Sequence, residues 1–386
     1  MNKNYSKKIL LVENFGSDFY KSRLPLALFL KKNGYEVFAL IPDDGYIDLV
    51  KNSGISVLHY PMSRGNKGFL QVIRLVFLCR KMIKEHGFDL VHSFRFQPNF
   101  ICSIATVWLR CRLVLHITGL GIAYSNRTFK YILLRWLSQL ILFFKFLCAD
   151  LLILQNKDDI ASLWFTTFNR NKIRLILGSG VDLSLYKRND FQREEWRASL
   201  GIATGDIVFI CITRLIWEKG IKELTEGFLR ACTALPQIKL FIVGWSDKDN
   251  PRHVSQTFIN SFLQSKNIFF LGKRNDINKL LTSSDAFIYP SYYREGIPRA
   301  ILEAMAMSIP IITTDMPGCR LTVKEGFNGY LIETKSVTAI ENVVKMMTEK
   351  RNEFNLMGKN SRMMAEKYFE NTIVFKEILE AYQSIL

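Results

Sequence analysis

Thirteen short apolar runs, each rich in β-branched or aromatic residues and separated by segments long enough for helices, constrain this chain more than any other feature. Seven lie in the first half (KKILLVEN, YEVFALIP, ISVLHYP, FDLVHSF, RLVLHIT, ADLLILQN and IRLILGSG). Six lie in the second (DIVFICIT, IKLFIVG, NIFFLGK, AFIYPS, IPIITTD and NGYLIE). Most are continuous rather than alternating, as expected of parallel strands covered on both faces, because a strand with one wet face would alternate apolar and polar residues. Strands and helices in alternation build doubly wound α/β domains. A chain of 386 residues is about two and a half times a typical domain of ~150, so two such domains are expected.

The break falls between Gly178 and Asp190, where Gly178-Ser-Gly-Val-Asp182 is followed by a polar stretch, and the second set of strands restarts at Asp206. The expected domains are 1–180 and 181–370, with a last helix over 371–386 that can pack on either. A composition of 48% hydrophobic and 23% charged residues suits two large cores and excludes collagen-like, disordered and coiled-coil chains. The seven cysteines are widely spaced, odd in number and without a CxxC pair or histidine partners, which suits reduced thiols in a cytoplasm. The apolar run before Glu13 is too short for a signal-peptide core.

Charge divides the chain unevenly. Residues 1–190 carry 27 Lys/Arg against 13 Asp/Glu, whereas 191–386 carry 25 against 22. A basic half calls for an anionic neighbour: nucleic acid, anionic lipid or a phosphate-bearing substrate. The most apolar segment, 129–149, is interrupted by Lys130, Arg135 and Lys145 and is read as too short to span a bilayer. At 100° per residue Arg135, Ser138, Gln139 and Lys145 share an arc of about 120°, so the segment reads as a core helix with one wet edge or as an interfacial membrane helix.

Three loops carry candidate chemistry. The first strand runs into Asn14, Gly16 and Ser17, a turn with one glycine where GxGxxG would need three, so a nicotinamide dehydrogenase is not indicated. Arg214 and Lys219 follow the strand DIVFICIT, and such a cation pair can hold a diphosphate. Further on, Glu295 precedes a helix expected to begin near Pro298, with Glu303 inside it. The backbone of residues 296–298 can meet an anion or a sugar oxygen, and a carboxylate on the next turn can accept from a ribose diol. Read singly, each is an ordinary turn, a solvated pair or a surface glutamate. A lone Asp247-Lys-Asp249 sits in a polar loop, and no metal is expected there.

Together, Arg214/Lys219 as R-x4-K and Glu295/Glu303 as E-x7-E resemble the retaining, family 4 type of GT-B glycosyltransferases, a likeness that covers nearly the whole chain. Gly178 to Asp182 resembles the interdomain signature of that family, and His116-Ile-Thr-Gly119-Leu-Gly121 its active-site loop. The resemblance implies two Rossmann-like domains facing a central cleft, a first that binds the acceptor and a second that binds the nucleotide sugar. It also implies that Lys219 and Arg214 bind the donor diphosphate, Glu303 the ribose, and Glu295 with Gly296, Ile297 and Pro298 the donor sugar. His116 would approach that sugar, and Lys273 and Arg274 would lie beside the base. Neither a cofactor nor a metal is implied.

Within the family, the opening residues around Arg23, the segment before Arg95, and the Gly119/Gly121 loop look most like bacterial enzymes that extend undecaprenyl-diphosphate-linked sugars, N-acetylgalactosaminyltransferases among them. Asn14, Gly16, Ser17, Arg23, Arg95, Gly119 and Gly121 are the candidate acceptor residues. The implied partners are a UDP-sugar, a lipid-diphosphate-linked sugar and the anionic inner leaflet of a cytoplasmic membrane, on which the protein would be peripheral. Nucleic acid is not expected, since the aromatics lie inside apolar runs rather than along a basic stripe. A non-hydrolysing UDP-sugar epimerase and a polyanion binder are the alternatives.

Overall fold

The computed structural model describes residues 6–61, 68–125, 128–246 and 250–386. It divides the chain into two compact units, 1–180 with 371–386, and 181–370. The first contains β1 (Lys8–Val12), β2 (Glu36–Ile41), β3 (Ser56–His59), β4 (Leu90–Phe94), β5 (Arg112–Ile117), β6 (Leu151–Leu154) and β7 (Ile173–Leu175) in the order β3-β2-β1-β4-β5-β6-β7. The second contains β8 (Ile207–Ile212), β9 (Ile238–Val243), β10 (Ile268–Gly272), β11 (Ala286–Tyr289), β12 (Ile311–Thr314) and β13 (Gly329–Ile332) in the order β10-β9-β8-β11-β12-β13. Every pairing in both sheets is parallel.

Each strand lies within one of the thirteen apolar runs, and the reason is visible in the side chains. Leu10, Val12, Leu40, Val91 and Leu115 enter one core of the first unit, while Ile9, Leu11, Ala39, Ile41 and Val114 enter the core on its opposite face. Successive residues point to opposite sides of a strand, so a sheet buried on both sides needs apolar residues without interruption. The strand order reverses between β1 and β4 in the first unit and between β8 and β11 in the second. At such reversals the connections leave in opposite directions and open a crevice at the carboxyl ends of the strands.

The C-terminal helix, Asn371–Gln383, lies on the first unit, where Val374, Phe375, Ile378 and Tyr382 join the core formed by Ile9, Leu11 and Phe94.

The helix Phe129–Cys148 corrects the wet-edge reading. Its polar arc points inward. Lys145 is 1% exposed, its Nζ donating to the Phe96 carbonyl at 2.9 Å and standing 3.5 Å from the centroid of that ring. Burial pushes the Lys145 ammonium down to about 7. Gln139 donates to the Ser162 carbonyl, and the Arg135 guanidinium lies over Tyr124. The apolar side is exposed instead, through Phe129, Leu133, Trp136, Leu137, Leu140 and Leu147. By length and composition this 20-residue helix is long and apolar enough to cross a membrane, which corrects the expectation that 129–149 is too short.

Candidate active site

In the second unit, the loops that follow β8 and β11 meet at the reversal of strand order. The Glu218 carbonyl accepts from the backbone N–H groups of Tyr292 and Tyr293 at 2.9 and 3.1 Å, tying the loops together. Gly220 is required for this approach. Its φ is +73°, and a Cβ there would stand 2.3 Å from the Pro290 carbonyl oxygen. Gly318, in the short helix Pro317–Arg320 after β12, permits a like approach, since a Cβ on it would lie 1.8 Å from the carbonyl oxygen of Gly296.

This packing brings Lys219 and Glu295 together. Lys219 Nζ donates to both carboxylate oxygens of Glu295 at 2.7 Å and to Tyr289 Oη at 2.5 Å, with the lysine side chain only 6% exposed. Tyr289 Oη lies 3.1 and 3.3 Å from the same two oxygens, and Ser291 Oγ donates to one of them at 3.1 Å. Burial, followed by the Glu295 charge, holds the Tyr289 phenol well above its ordinary range, so it stays a donor. Arg214 is half-buried near Tyr293 and has no ion-pair partner among the described residues.

Glu303 occupies the helix Arg299–Ala306, where Arg299 Nε donates to its Oε1 at 2.7 Å and the Tyr186 hydroxyl is also hydrogen-bonded. That helix begins one residue later than expected. Pro298 is its N-cap with φ −67° and ψ 121°, and having no N–H it contributes no donor, which leaves Gly296 and Ile297 as the loop amides. Arg274 is closed off by Asp276 through contacts of 2.8 and 2.6 Å, and Lys273 rests over the Trp245 ring. Asp247 and Asp249 lie outside the described residues. Among the described residues there is no cluster of three or more His, Cys, Asp or Glu side chains that could hold a metal ion.

In the first unit the reversal between β1 and β4 is occupied by a charge cluster that motif reading missed. Glu13, fully buried at the end of β1, is 3.4 Å from Arg23 and 3.1 Å from Arg95, and Arg95 also reaches Asp18 at 2.6 Å. Burial raises the Glu13 pKa, and the two guanidiniums oppose that shift. Arg95 has a φ of +71°, a strained backbone for a non-glycine residue at a strand's carboxyl end. Its side chain is 33% exposed.

Four of the expected acceptor and catalytic residues are engaged within the protein itself. Arg23 is buried beneath Phe94, its guanidinium 4.0 Å from the ring centroid, so it neutralises Glu13 rather than facing a ligand. The backbone N–H groups of Gly16 and Ser17 donate to Asp44 at 3.0 and 3.4 Å, and a phosphate would have to displace that carboxylate. His116 is wholly buried in β5, with Nε2 3.1 Å from Gln155 and its ring stacked on His92. Burial, then the Arg23 charge, drives its pKa well below the ordinary value, so the ring is neutral. His92 Nδ1 meets Tyr382 Oη at 2.5 Å, which makes the histidine pair part of the floor beneath the C-terminal helix. Asn14, Gly119 and Gly121 stay at the carboxyl edge, partly exposed.

Of the residues that motif reading missed, Tyr289 had the clearest signal, since it is the one polar handle at the end of the run AFIY. Glu13, Asp18, Asp44 and Tyr186 had none, because their partners lie far away in sequence or on another loop.

The model for glycosyl transferases group 1 matches residues 192–364, and that for the glycosyl transferase 4-like domain matches 24–151. The chain is a glycosyltransferase with the GT-B fold. One relative is N,N'-diacetylbacillosaminyl-diphospho-undecaprenol alpha-1,3-N-acetylgalactosaminyltransferase of Campylobacter jejuni, 28% identical, with 98% of this chain and 99% of that protein covered. A second is UDP-Gal:alpha-D-GlcNAc-diphosphoundecaprenol alpha-1,3-galactosyltransferase of Escherichia coli, 26% identical over 88% of this chain and 89% of that protein. Among solved structures, Anabaena HepE in complex with UDP superposes with a TM-score of 0.80 at 21% identity, covering 98% of this chain and all of that one.

Proposed function

We propose that this glycosyltransferase is a retaining enzyme that moves a sugar, with N-acetylhexosamine and specifically N-acetylgalactosamine favoured, from a UDP-sugar to an undecaprenyl-diphosphate-linked acceptor in surface-polysaccharide or glycan assembly. The observation that carries the reading is the pairing of Lys219 with Glu295 at the crevice of the second unit, with Arg214 on the same loop. Both relatives described above are named for transfer to undecaprenyl-diphosphate-linked sugars.

In this reading the second unit binds the donor and the first binds the acceptor. Lys219 and Arg214 hold the diphosphate, Glu303 the ribose diol, and Glu295 with the Gly296 and Ile297 amides the donor sugar. The acceptor hydroxyl attacks the anomeric carbon on the face the diphosphate leaves. Its oxygen bonds to that carbon as the bond to phosphate breaks, and its proton passes to the departing phosphate oxygen. The two cations stabilise the charge that grows on that oxygen. Arg95, at a strained and partly exposed edge position, is the candidate first-unit cation for the acceptor.

The test is transfer of label from a panel of UDP-sugars to a short-chain lipid-diphosphate monosaccharide in the presence of EDTA. Product should form without added metal, because Lys219 and Arg214 supply the positive charge that a divalent ion would otherwise bring. Complete loss in EDTA with rescue by manganese would overturn the donor-site reading. Glu303→Gln should raise the donor KM by about ten-fold with little change in kcat, because ribose contacts are alike in ground and transition states. Equal UDP affinity in the two forms would remove Glu303 from the ribose.

We also propose that the protein is peripheral on an anionic membrane surface, through the outward face of the helix Phe129–Cys148 and the excess of cations in its first 190 residues. An exposed apolar face and a basic surface are the two signals that stable interfacial binding needs.

A further inference from the structure

Resting on the donor-site reading above, we propose that Tyr289 is a positioning residue for Lys219, whose hydroxyl holds the Glu295 carboxylate when the lysine turns to the donor diphosphate. As the structure stands, Lys219 is fully committed. Its ammonium has three N–H groups, and its polar contacts are the two oxygens of Glu295 and Tyr289 Oη. For Lys219 to bind a phosphate oxygen, at least one N–H must leave a present partner, and Glu295 is the more exposed of the two. That carboxylate is only 20% exposed, so losing its cation without replacement carries a desolvation penalty.

Two hydroxyls are placed to limit the penalty. Tyr289 Oη can donate to either carboxylate oxygen, and Ser291 Oγ already donates to one of them. The tyrosine is the larger contributor because it touches both ions and is nearly inaccessible to water at the end of the central strand β11, so no solvent molecule can stand in for it. Its own carbonyl accepts from Thr313 Oγ1 at 2.8 Å, which fixes the base of the side chain. Without the hydroxyl the free protein keeps its Lys219–Glu295 pair, whereas the donor-bound protein is left with a less supported carboxylate. The loss therefore falls on the bound state.

The experiment is a double-mutant cycle on UDP affinity, read by calorimetry on the full chain with Tyr289→Phe, Lys219→Met and the double variant, each checked for an unchanged unfolding midpoint. Tyr289→Phe should weaken UDP binding about five-fold in the native background, within the range of one charge-assisted hydrogen bond. In the Lys219→Met background the same change should weaken it less than two-fold, because no lysine remains to be exchanged. Equal effects in the two backgrounds would show that Tyr289 acts only by shaping the strand end, and would overturn the inference. If Tyr289→Phe misfolds, Ser291→Ala run through the same cycle tests the same exchange, with non-additivity again expected. Should the native protein not bind UDP at all, the donor-site reading itself fails, which is a different result from an additive cycle.

Discussion

Lys219→Ala is expected to lower kcat by about 100-fold or more while weakening UDP binding by only about ten-fold, the imbalance that follows when a cation meets a charge that grows as the reaction proceeds. The ground-state diphosphate already carries charge, so part of the lysine's contribution is uniform binding. The remainder appears only as the bond to the sugar breaks. Deleting one preorganised donor to a developing oxyanion typically lowers turnover by about 100- to 1,000-fold. The structure adds a second consequence, because the same substitution removes the ion partner of Glu295. Breaking a fully buried pair costs about 3–5 kcal/mol of stability. Here the carboxylate is 20% exposed and keeps Tyr289 and Ser291, so the loss should be well below that range. Single-turnover transfer at saturating donor, together with a thermal unfolding curve, separates the two effects. An unchanged kcat in a folded variant would remove Lys219 from the mechanism.

What the sequence made legible, and what it hid, divides along physical lines. The strands could be read because burial on both faces leaves a one-dimensional trace, visible in KILLV and IVFICI. The order of strands could be expected only from the fold family, since runs of this kind contain no record of their neighbours. In the candidate site, the residue types were legible and their partners were not. Arg23 reads as a free cation at a strand end, and nothing near it tells the reader that Glu13, ten positions earlier, is buried against it. Lys219 and Glu295 are 76 residues apart, and only the close approach allowed at Gly220 and Gly318 turns a loop lysine and a loop glutamate into one ion pair. His116 shows the opposite hazard. A histidine near the end of a strand beside a glycine loop invites a catalytic reading, but its ring is buried against partners remote in sequence, Gln155 and His92, the latter joined to Tyr382 of the C-terminal helix.

The helix Phe129–Cys148 gives the second large effect. A helical wheel locates a polar arc but not the side from which the rest of the molecule approaches, and here it approaches from the polar side. That inversion leaves Leu133, Trp136 and Leu140 each about 60% exposed, an arrangement that water penalises and a bilayer interface does not. Burying a large apolar side chain contributes roughly 1.5–3 kcal/mol, so three that are partly exposed can contribute about 3–5 kcal/mol on entering lipid. Leu133→Asp, Trp136→Asp and Leu140→Asp together should therefore lower the partition coefficient for anionic vesicles by 100-fold or more, at about 1.4 kcal/mol per factor of ten. UDP binding should remain unchanged. Lys130→Gln should have an effect of only a few-fold that disappears at high salt, and Lys145 is not a useful target because it lies under the helix against Phe96. Salt should weaken vesicle binding of the native protein without abolishing it, since the apolar contribution is not screened. If the native protein ignores anionic vesicles at low salt and sediments as a dimer that the three aspartates dissociate, the outward face belongs to a second copy of the chain and the membrane reading falls.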